Sequence, residues 1–208
     1  MQEVYLIGAS GHAKVIAEIL LEEKKLIKGI FEKNEAIESM WDFKVNPQPE
    51  AGTWPRDGEY IIAVGSNRIR KYVAEAFREE LSFCQAIHPK TTISNRASIG
   101  EGTVVMAGVT VNTEVSIGKH VIVNTNCSID HECLISDYVH ISPNVAVAGD
   151  VHVGEGSHIG IGACVVQGIR IGKWCTIGAG AVIIRDVPDY AVVVGNPGRI
   201  IKYNKEII

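Results

Sequence analysis

The chain has 208 residues, enough for one ordinary domain and a smaller one, with a net charge of −4 and therefore no basic face suited to nucleic acid or an anionic membrane. Its apolar runs fall far short of a membrane span, and the N-terminus lacks the basic and long apolar regions of a signal peptide. The five cysteines, Cys84, Cys127, Cys133, Cys164 and Cys175, are odd in number and form no C-x-x-C pair, which reads as reduced thiols in a cytoplasmic protein.

In chain order, Glu3 to Ile7 is an apolar strand and Gly8-Ala9-Ser10-Gly11-His12 a turn. Ala13 to Leu21 has apolar residues at helical spacing, at Val15, Ile16, Ile19 and Leu20. Gly29 to Glu32 reads as a second strand, and Asn46 to Gly58, with three prolines, as a loop. Tyr60 to Val64 is a buried-type strand ending in Gly65-Ser66-Asn67. Arg68 to Leu81 reads as a helix with its apolar face at Ile69, Tyr72, Val73, Ala76 and Phe77, and Ser82 to Ile87 as a last strand. This order predicts a small parallel α/β domain over residues 1–87, with ligands at the carboxyl ends of its strands. The Gly8 turn is not the full dinucleotide fingerprint, and the domain has room for only half a dinucleotide fold. Amides at a helix N-terminus still favour a phosphate, and a second glycine-polar loop follows the later strand.

A different rule governs the second half. Every sixth residue from Ile93 to Ile183 is Ile or Val, sixteen positions without an exception. Neither a helix nor a flat strand repeats at six, whereas hexapeptide repeats mark a parallel β-helix. The fifth position of each hexad, from Ala97 to Val187, is small or β-branched, as a tight inward corner requires. Glycine follows the aliphatic residue at Gly100, Gly118, Gly154, Gly160, Gly172 and Gly178, which suggests turns with positive φ. Three hexads make one coil of eighteen residues. The β-helix is expected over 88–187, with a tail over 188–208.

Seven histidines are present, and a lone one on a β-helix is usually just a polar face residue. His131 is set apart by its carboxylate neighbours Asp130 and Glu132, because a carboxylate on one ring nitrogen fixes the tautomer and raises the basicity of the other. Eighteen-residue coils put Gly149 one coil above His131, where it would leave room for a thioester close to the backbone. The same arithmetic stacks His140 and His158. A metal would need a third ligand, and His152 lies on the next face, so no metal is expected. Cys127 and Cys133 fall at inward positions and read as core, which favours direct transfer over an acyl-cysteine.

The hexads, the Gly8–His12 turn, the segment Val64 to Arg70, the run Asn124 to Glu132, His140 and the tail Gly195-Asn196-Pro197-Gly198-Arg199 together resemble the hexapeptide-repeat sugar acyltransferases. Within that family they resemble the bacterial nucleotide-amino-sugar N-acetyltransferases of bacillosamine and perosamine synthesis and the sialic acid O-acetyltransferase-like proteins. The resemblance implies a Rossmann-like domain followed by a left-handed β-helix, working as a homotrimer with acetyl-CoA as co-substrate. It implies His131 as general base and Glu132 as the carboxylate that tunes it. It implies a nucleotide-sugar site at Ser10, Gly11, His12, Glu32, Lys33, Gly65 and Asn67, with Asn124 near acceptor and thioester. His140, Gly149, Ile161, Ala179 and Arg199 match positions along the acetyl-CoA groove. Glu32-Lys33 stands where bacillosamine-type enzymes carry paired aspartates, so UDP, GDP and dTDP all stay open. The expected reaction is N-acetylation of a UDP-linked 4-amino-4,6-dideoxy sugar. O-acetylation of a sialic acid or glycan hydroxyl is the alternative, followed by a metal-dependent hydratase on the same fold and a non-enzymatic scaffold.

Overall fold

A computed structural model describes residues 2–204; Met1 and residues 205–208, the last part of the expected tail, lie outside the described residues. Strands β1 (Glu3–Ile7), β2 (Leu26–Glu32), β3 (Ser39–Met40), β4 (Phe43–Pro47) and β5 (Glu59–Ile62) form one sheet in the order β3-β4-β2-β1-β5. Helix α1 (Gly11–Glu22) follows β1 and helix α2 (Asn67–Phe77) follows β5. The pairings of β1 with β2, β1 with β5 and β2 with β4 are parallel, as the β-α-β order requires. Strands β3 and β4, an antiparallel pair at the sheet edge, were not visible as strands; Pro47 tolerates its place because it ends an edge-side strand.

From Ala86 onward the chain winds as a triangular β-helix. Two-residue strands recur every six residues and stack on strands eighteen residues away, with parallel pairing throughout. The first face runs Ala86–Ile87, Val104–Val105, Ile122–Val123, His140–Ile141, His158–Ile159 and Thr176–Ile177. The second runs from Thr92–Ile93 to Val182–Ile183, and the third from Ser98–Ile99 to Arg170–Ile171. The sixfold aliphatic column points inward: Val105, Ile129, Ile141 and Ile159 have no exposed surface, and Ile177 and Ile183 are almost as fully buried. Val139, Val151, Ala163 and Ala181 close the corners, so one apolar core runs the length of the prism. Strand Ala191–Val194 continues the first face, and Arg199–Tyr203 folds back on it antiparallel after a turn containing Asn196-Pro197.

Three local expectations are corrected. The segment Ser82 to Ile87 is not one strand: Phe83 bridges to Tyr60, whereas Ala86–Ile87 belongs to the first face of the β-helix. The glycines after the aliphatic positions do not have positive φ. They answer a steric demand, since a Cβ on Gly154 would sit 2.6 Å from the backbone carbon of Gly172 one coil above. The left-handed residue falls two positions later, at Gly102, Gly156 and Gly162 but also at His120, Asn126, Glu132, Asn144, Asp150 and Trp174. The third correction concerns α2. Its buried face is Arg70, Val73 and Ala74, while Ile69 is 53% and Tyr72 is 72% exposed.

Arg70 explains that rotation, because it joins the two halves of the molecule. Its guanidinium is 1% exposed and meets only oxygens of uncharged groups: His120 O at 2.7 Å, Tyr138 O at 2.9 Å, Val64 O at 3.1 Å, Gly65 O at 3.2 Å and Asn67 Oδ1 at 3.0 Å. Burial without a carboxylate lowers its pKa to about 9. Asn67 adds donated bonds to Gly156 O and Ser157 O. On the other side, α1 lays Ala13, Ile16 and Leu20 in one apolar cluster with Val104, Met106 and Ile122 of the first face.

Gly154→Ala is expected to destabilise the protein by about 1–3 kcal/mol, because its new methyl meets backbone that cannot rotate away. Gly162→Ala meets open space and carries only the φ +66° penalty, about 1 kcal/mol. Thermal unfolding of the two variants beside wild type checks the order; equal losses would refute the steric account.

Candidate active site

The expected site residues fall into four places. The first is the His131 corner, the vertex between the second and third faces. His131 Nδ1 lies 2.9 Å from Glu132 Oε2, so the ring donates from Nδ1 and leaves the Nε2 lone pair free. The hydrogen bond to Glu132 raises the His131 pKa, and Asp130, Glu132 and Asp150 add their negative charge in the same sense. Glu132 reaches the ring through its left-handed backbone, φ +61°. Gly149 lies one coil above, as the coil count predicts, but its bare Cα faces the imidazole: a Cβ there would stand 2.5 Å from His131 Cε1 and 2.6 Å from Nε2. The space that glycine leaves is filled by the ring of His131.

The second place is the first face and the corner it shares with the second. Asn124 Nδ2 lies 3.3 Å from His140 Nε2, and Asn124 Oδ1 accepts from Thr125 N at 2.8 Å, which fixes the amide orientation. His140 and His158 stack with centroids 4.8 Å apart and planes 8° apart, and His158 Nε2 lies 2.7 Å from Ser142 Oγ. Burial pushes the His140 pKa down to about 3, with the charges of His158 and Arg70 adding to it. Burial and Arg70 likewise bring His12 down to about 4. The His12 Nε2 atom is buried without a hydrogen-bond partner. Above Asn124, this corner is built of Gly160-Ile161-Gly162 and Gly178-Ala179-Gly180. Ile161 is exposed, and a Cβ on Gly162 or Gly180 would touch nothing. The result is a low, open track that climbs toward the terminal hairpin, where exposed Arg199 donates only to Gly198 O.

The third place is a cavity of about 560 Å³ at the carboxyl ends of β1, β2 and β5. Gly8, Ser10, Glu32 and Lys33 line it from one side and Ile69 and Tyr72 of α2 from the other. Glu32 accepts from Ala9 N at 2.9 Å and from Asn34 N at 3.0 Å, so its carboxylate ties the Gly8 turn to the end of β2. Ser10 is the N-cap of α1, and its side chain makes no capping bond. Gly65 and Asn67 line a separate cleft with His158, Trp174 and Asn204.

The chain therefore brings Asn124 to His140, and Gly149 to His131, but keeps the two pairs apart. The α/β domain covers the first face, and His131 stands on the vertex opposite that face. Sequence reasoning missed Arg70 and the Ser142–His158 pair. An arginine three residues before Val73 and seven before Phe77, on an apolar helix face, was the available signal for the first. The second carries none, since Ser142 and His158 meet only through the coil stacking. Among the described residues no group of three or more His, Cys, Asp or Glu is placed to hold a metal, and no helix is long and apolar enough to cross a membrane.

Comparison with known proteins agrees with this architecture. Residues 3–77 match the PglD N-terminal domain family. The acetyltransferase domain of PglB from Neisseria gonorrhoeae FA1090 is 37% identical and superposes with a TM-score of 0.90 over 97% of this chain and all of that one; it has also been solved with acetyl coenzyme A, in a structure that covers 96% of this chain. PerB from Caulobacter crescentus, solved with CoA and GDP-perosamine, is 34% identical with a TM-score of 0.90, covering 96% of this chain and 97% of that one. UDP-N-acetylbacillosamine N-acetyltransferase of Bacillus subtilis (strain 168) is 40% identical over 114 residues; that match spans about half of each protein, 51% of this chain and 52% of the relative. An α/β domain on a parallel β-helix, shared from end to end with the PglB acetyltransferase domain and PerB, places the chain in the hexapeptide-repeat sugar acyltransferase family, among the bacterial nucleotide-amino-sugar N-acetyltransferases of the bacillosamine and perosamine type.

Proposed function

We propose that the chain transfers the acetyl group of acetyl-CoA to the amine of a nucleotide-linked 4-amino-4,6-dideoxy sugar, with UDP as the expected nucleotide. The observation that carries this reading is the His131–Glu132 pair, with Nδ1 engaged and Nε2 free. A base so oriented takes the proton that the amine must lose as nitrogen attacks the thioester carbon; the C–S bond then breaks and the sulfur leaves as CoA thiolate, to be protonated. The acidic surroundings favour an amine over a hydroxyl, because Glu132 and Asp150 attract an ammonium and do nothing for a neutral alcohol. Cys127 and Cys133 do not compete as nucleophiles: each is 1% exposed, and burial pushes the Cys127 thiol up to about 11.

The residues also fit acetyl-CoA. Asn124 has one amide hydrogen left to meet a thioester oxygen, and neutral His140 leaves that oxygen uncontested by charge. The glycine-rich track above them accommodates an extended pantetheine arm, with Ile161, Ala179 and Arg199 along it. The cavity at Gly8, Ser10, Glu32 and Lys33 suits the nucleotide, with Gly11 and His12 opening α1 beside it.

These parts complete one site only between copies. Asn124 and His131 occupy the two corners that flank the second face. If the second faces of three copies turn toward a common axis, the Asn124 corner of one meets the His131 corner of the next. The outward residues of that face, Thr92, Thr110, Ser128, Ala146, Cys164 and Val182, are small enough for close approach. The His131 and Glu132 side chains are 44% and 60% exposed in one protomer, where such a pair contributes little; cover by a neighbour strengthens it.

Three outcomes follow from this reading. His131→Ala lowers kcat by about 10²–10⁴ while acetyl-CoA affinity stays nearly unchanged, and a variant with more than about a third of wild-type kcat would refute the base assignment. Because the His131 pKa is raised, its base form disappears at a higher pH than an ordinary histidine's as the solution is acidified. Glu132→Gln removes the largest cause, so the acid limb of kcat moves to lower pH and the plateau falls; an unmoved limb in the pH–rate profile would count against the pair. Finally, His131→Ala and Gly11→Glu are each inactive alone, the second by placing a carboxylate in the nucleotide site. Co-refolded in equal amounts, they regain about a quarter of wild-type activity if each site joins the pocket of one copy to the histidine of the next, and none if sites lie within one copy.

A further inference from the structure

The imidazole of His131 is held from more directions than its pairing with Glu132 accounts for. Asp130 Oδ1 accepts a hydrogen bond from the backbone N of His131 at 2.8 Å. The same oxygen accepts from Asn112 Nδ2 at 2.7 Å, one coil below. Asn112, Asp130 and Ala148 occupy equivalent places in successive coils, so the amide and the carboxylate form a short ladder along the edge of the second face. The other corner of that face is built alike: Asn124 caps the amide of Thr125 as Asp130 caps that of His131. At the Asp130 corner the cap carries a charge and has its own support. The next residue, Glu132, has φ +61°, a conformation that a non-glycine side chain keeps only when its surroundings fix the turn. Above, the ring occupies the place where a side chain on Gly149 would stand.

We propose that Asn112 and Asp130 are positioning residues for the general base: Asn112 orients the Asp130 carboxylate, and Asp130 fixes the His131 backbone so that the ring lies flat on Gly149 with Nε2 toward the substrate. Asp130 does not move the proton, and the reaction needs its oxygen as an acceptor of two donated hydrogen bonds. An asparagine supplies that oxygen equally well. The competing reading, direct contact between Asp130 and the substrate ammonium, needs the charge and has no use for Asn112.

The inference rests on His131 being the base, and the experiment separates the two. Steady-state kinetics would be run on Asp130→Asn, Asp130→Ala, Asn112→Ala, Asn112→Asp and the exchange Asn112→Asp with Asp130→Asn, with thermal unfolding and acetyl-CoA binding as checks on folding. Positioning predicts that Asp130→Asn stays within about threefold of wild-type kcat, while Asp130→Ala loses about 10- to 100-fold with little change in either KM. Asn112→Asp sets two carboxylates against each other and falls below Asn112→Ala. The exchange variant rebuilds the ladder with donor and acceptor reversed and recovers to within about fivefold of wild type. An exchange variant no better than Asn112→Asp would overturn the proposal, as would an Asp130→Asn as impaired as Asp130→Ala or a raised acceptor KM in Asp130→Asn. An active His131→Ala would instead remove the general-base reading and this inference with it.

Discussion

The structure depends on one constraint, the stacking of identical coils at the spacing of neighbouring strands. Each coil donates its backbone hydrogen bonds to the next, as Gly100 N does to Ile117 O at 2.8 Å and Ser116 N to Cys133 O at 2.9 Å. This satisfies the backbone only if every coil has the same length and the same inward residues. The aliphatic column meets the second condition, since Ile129, Val147 and Val165 of one face lie directly above one another and share one core. Chemistry is then assigned by position. A side chain just after an inward aliphatic residue starts a corner, and the corner it starts decides whether it lies beside the α/β domain or on the far side of the prism. Asn124 and Asp130 differ by one hexad and therefore by one corner.

The junction between the two halves follows a second electrostatic logic. Arg70 is buried among carbonyl oxygens and has no counter-ion among the described residues, so its charge is felt by the histidines packed near it. His12, His120, His140 and His158 all have their pKa lowered by burial, and Arg70 contributes at each. The shift favours the neutral ring at each of them. His131, across the prism and amid carboxylates, has its pKa moved the other way. One scaffold thus holds two histidine environments of opposite sign, one set by burial and a buried cation, the other by neighbouring carboxylates.

Much of this was legible in the sequence. Sixteen aliphatic residues in register left no other fold, and the coil count placed Gly149 over His131 and His140 beside His158. Details that depend on contacts distant in sequence were not legible. The glycines after the aliphatic positions looked like turn-formers, whereas they prevent collision between coils. The true left-handed positions hid because Asn, Asp, Glu, His and Trp fill them as often as glycine does. The face assigned to helix α2 was right at Val73 and Phe77 but rotated toward Ile69 and Tyr72, because its most buried side chain is charged, and nothing local reveals that five carbonyl groups await it. That His131 and the cavity at the carboxyl ends of β1, β2 and β5 stand on opposite sides of the chain could be seen only once the three faces were assigned.

The uniform coil has one further consequence, for how such a chain can change length. An inserted or deleted segment leaves the faces in phase only if it contains a whole turn of the prism. A shorter change would rotate every later side chain onto the wrong face, carrying Ile161 and Ala179 away from Asn124. Arg70 grips the prism at His120, Tyr138 and Val139, while the terminal hairpin closes it several coils above. Asn67 holds the prism higher still, at Gly156 and Ser157, and shares a cleft with Asn204 beyond the hairpin, so a change in coil number above Ser157 alters that cleft and leaves the Arg70 contacts in place. The length of the track is therefore quantised in steps of one coil, about 4.8 Å: it changes by whole turns or not at all.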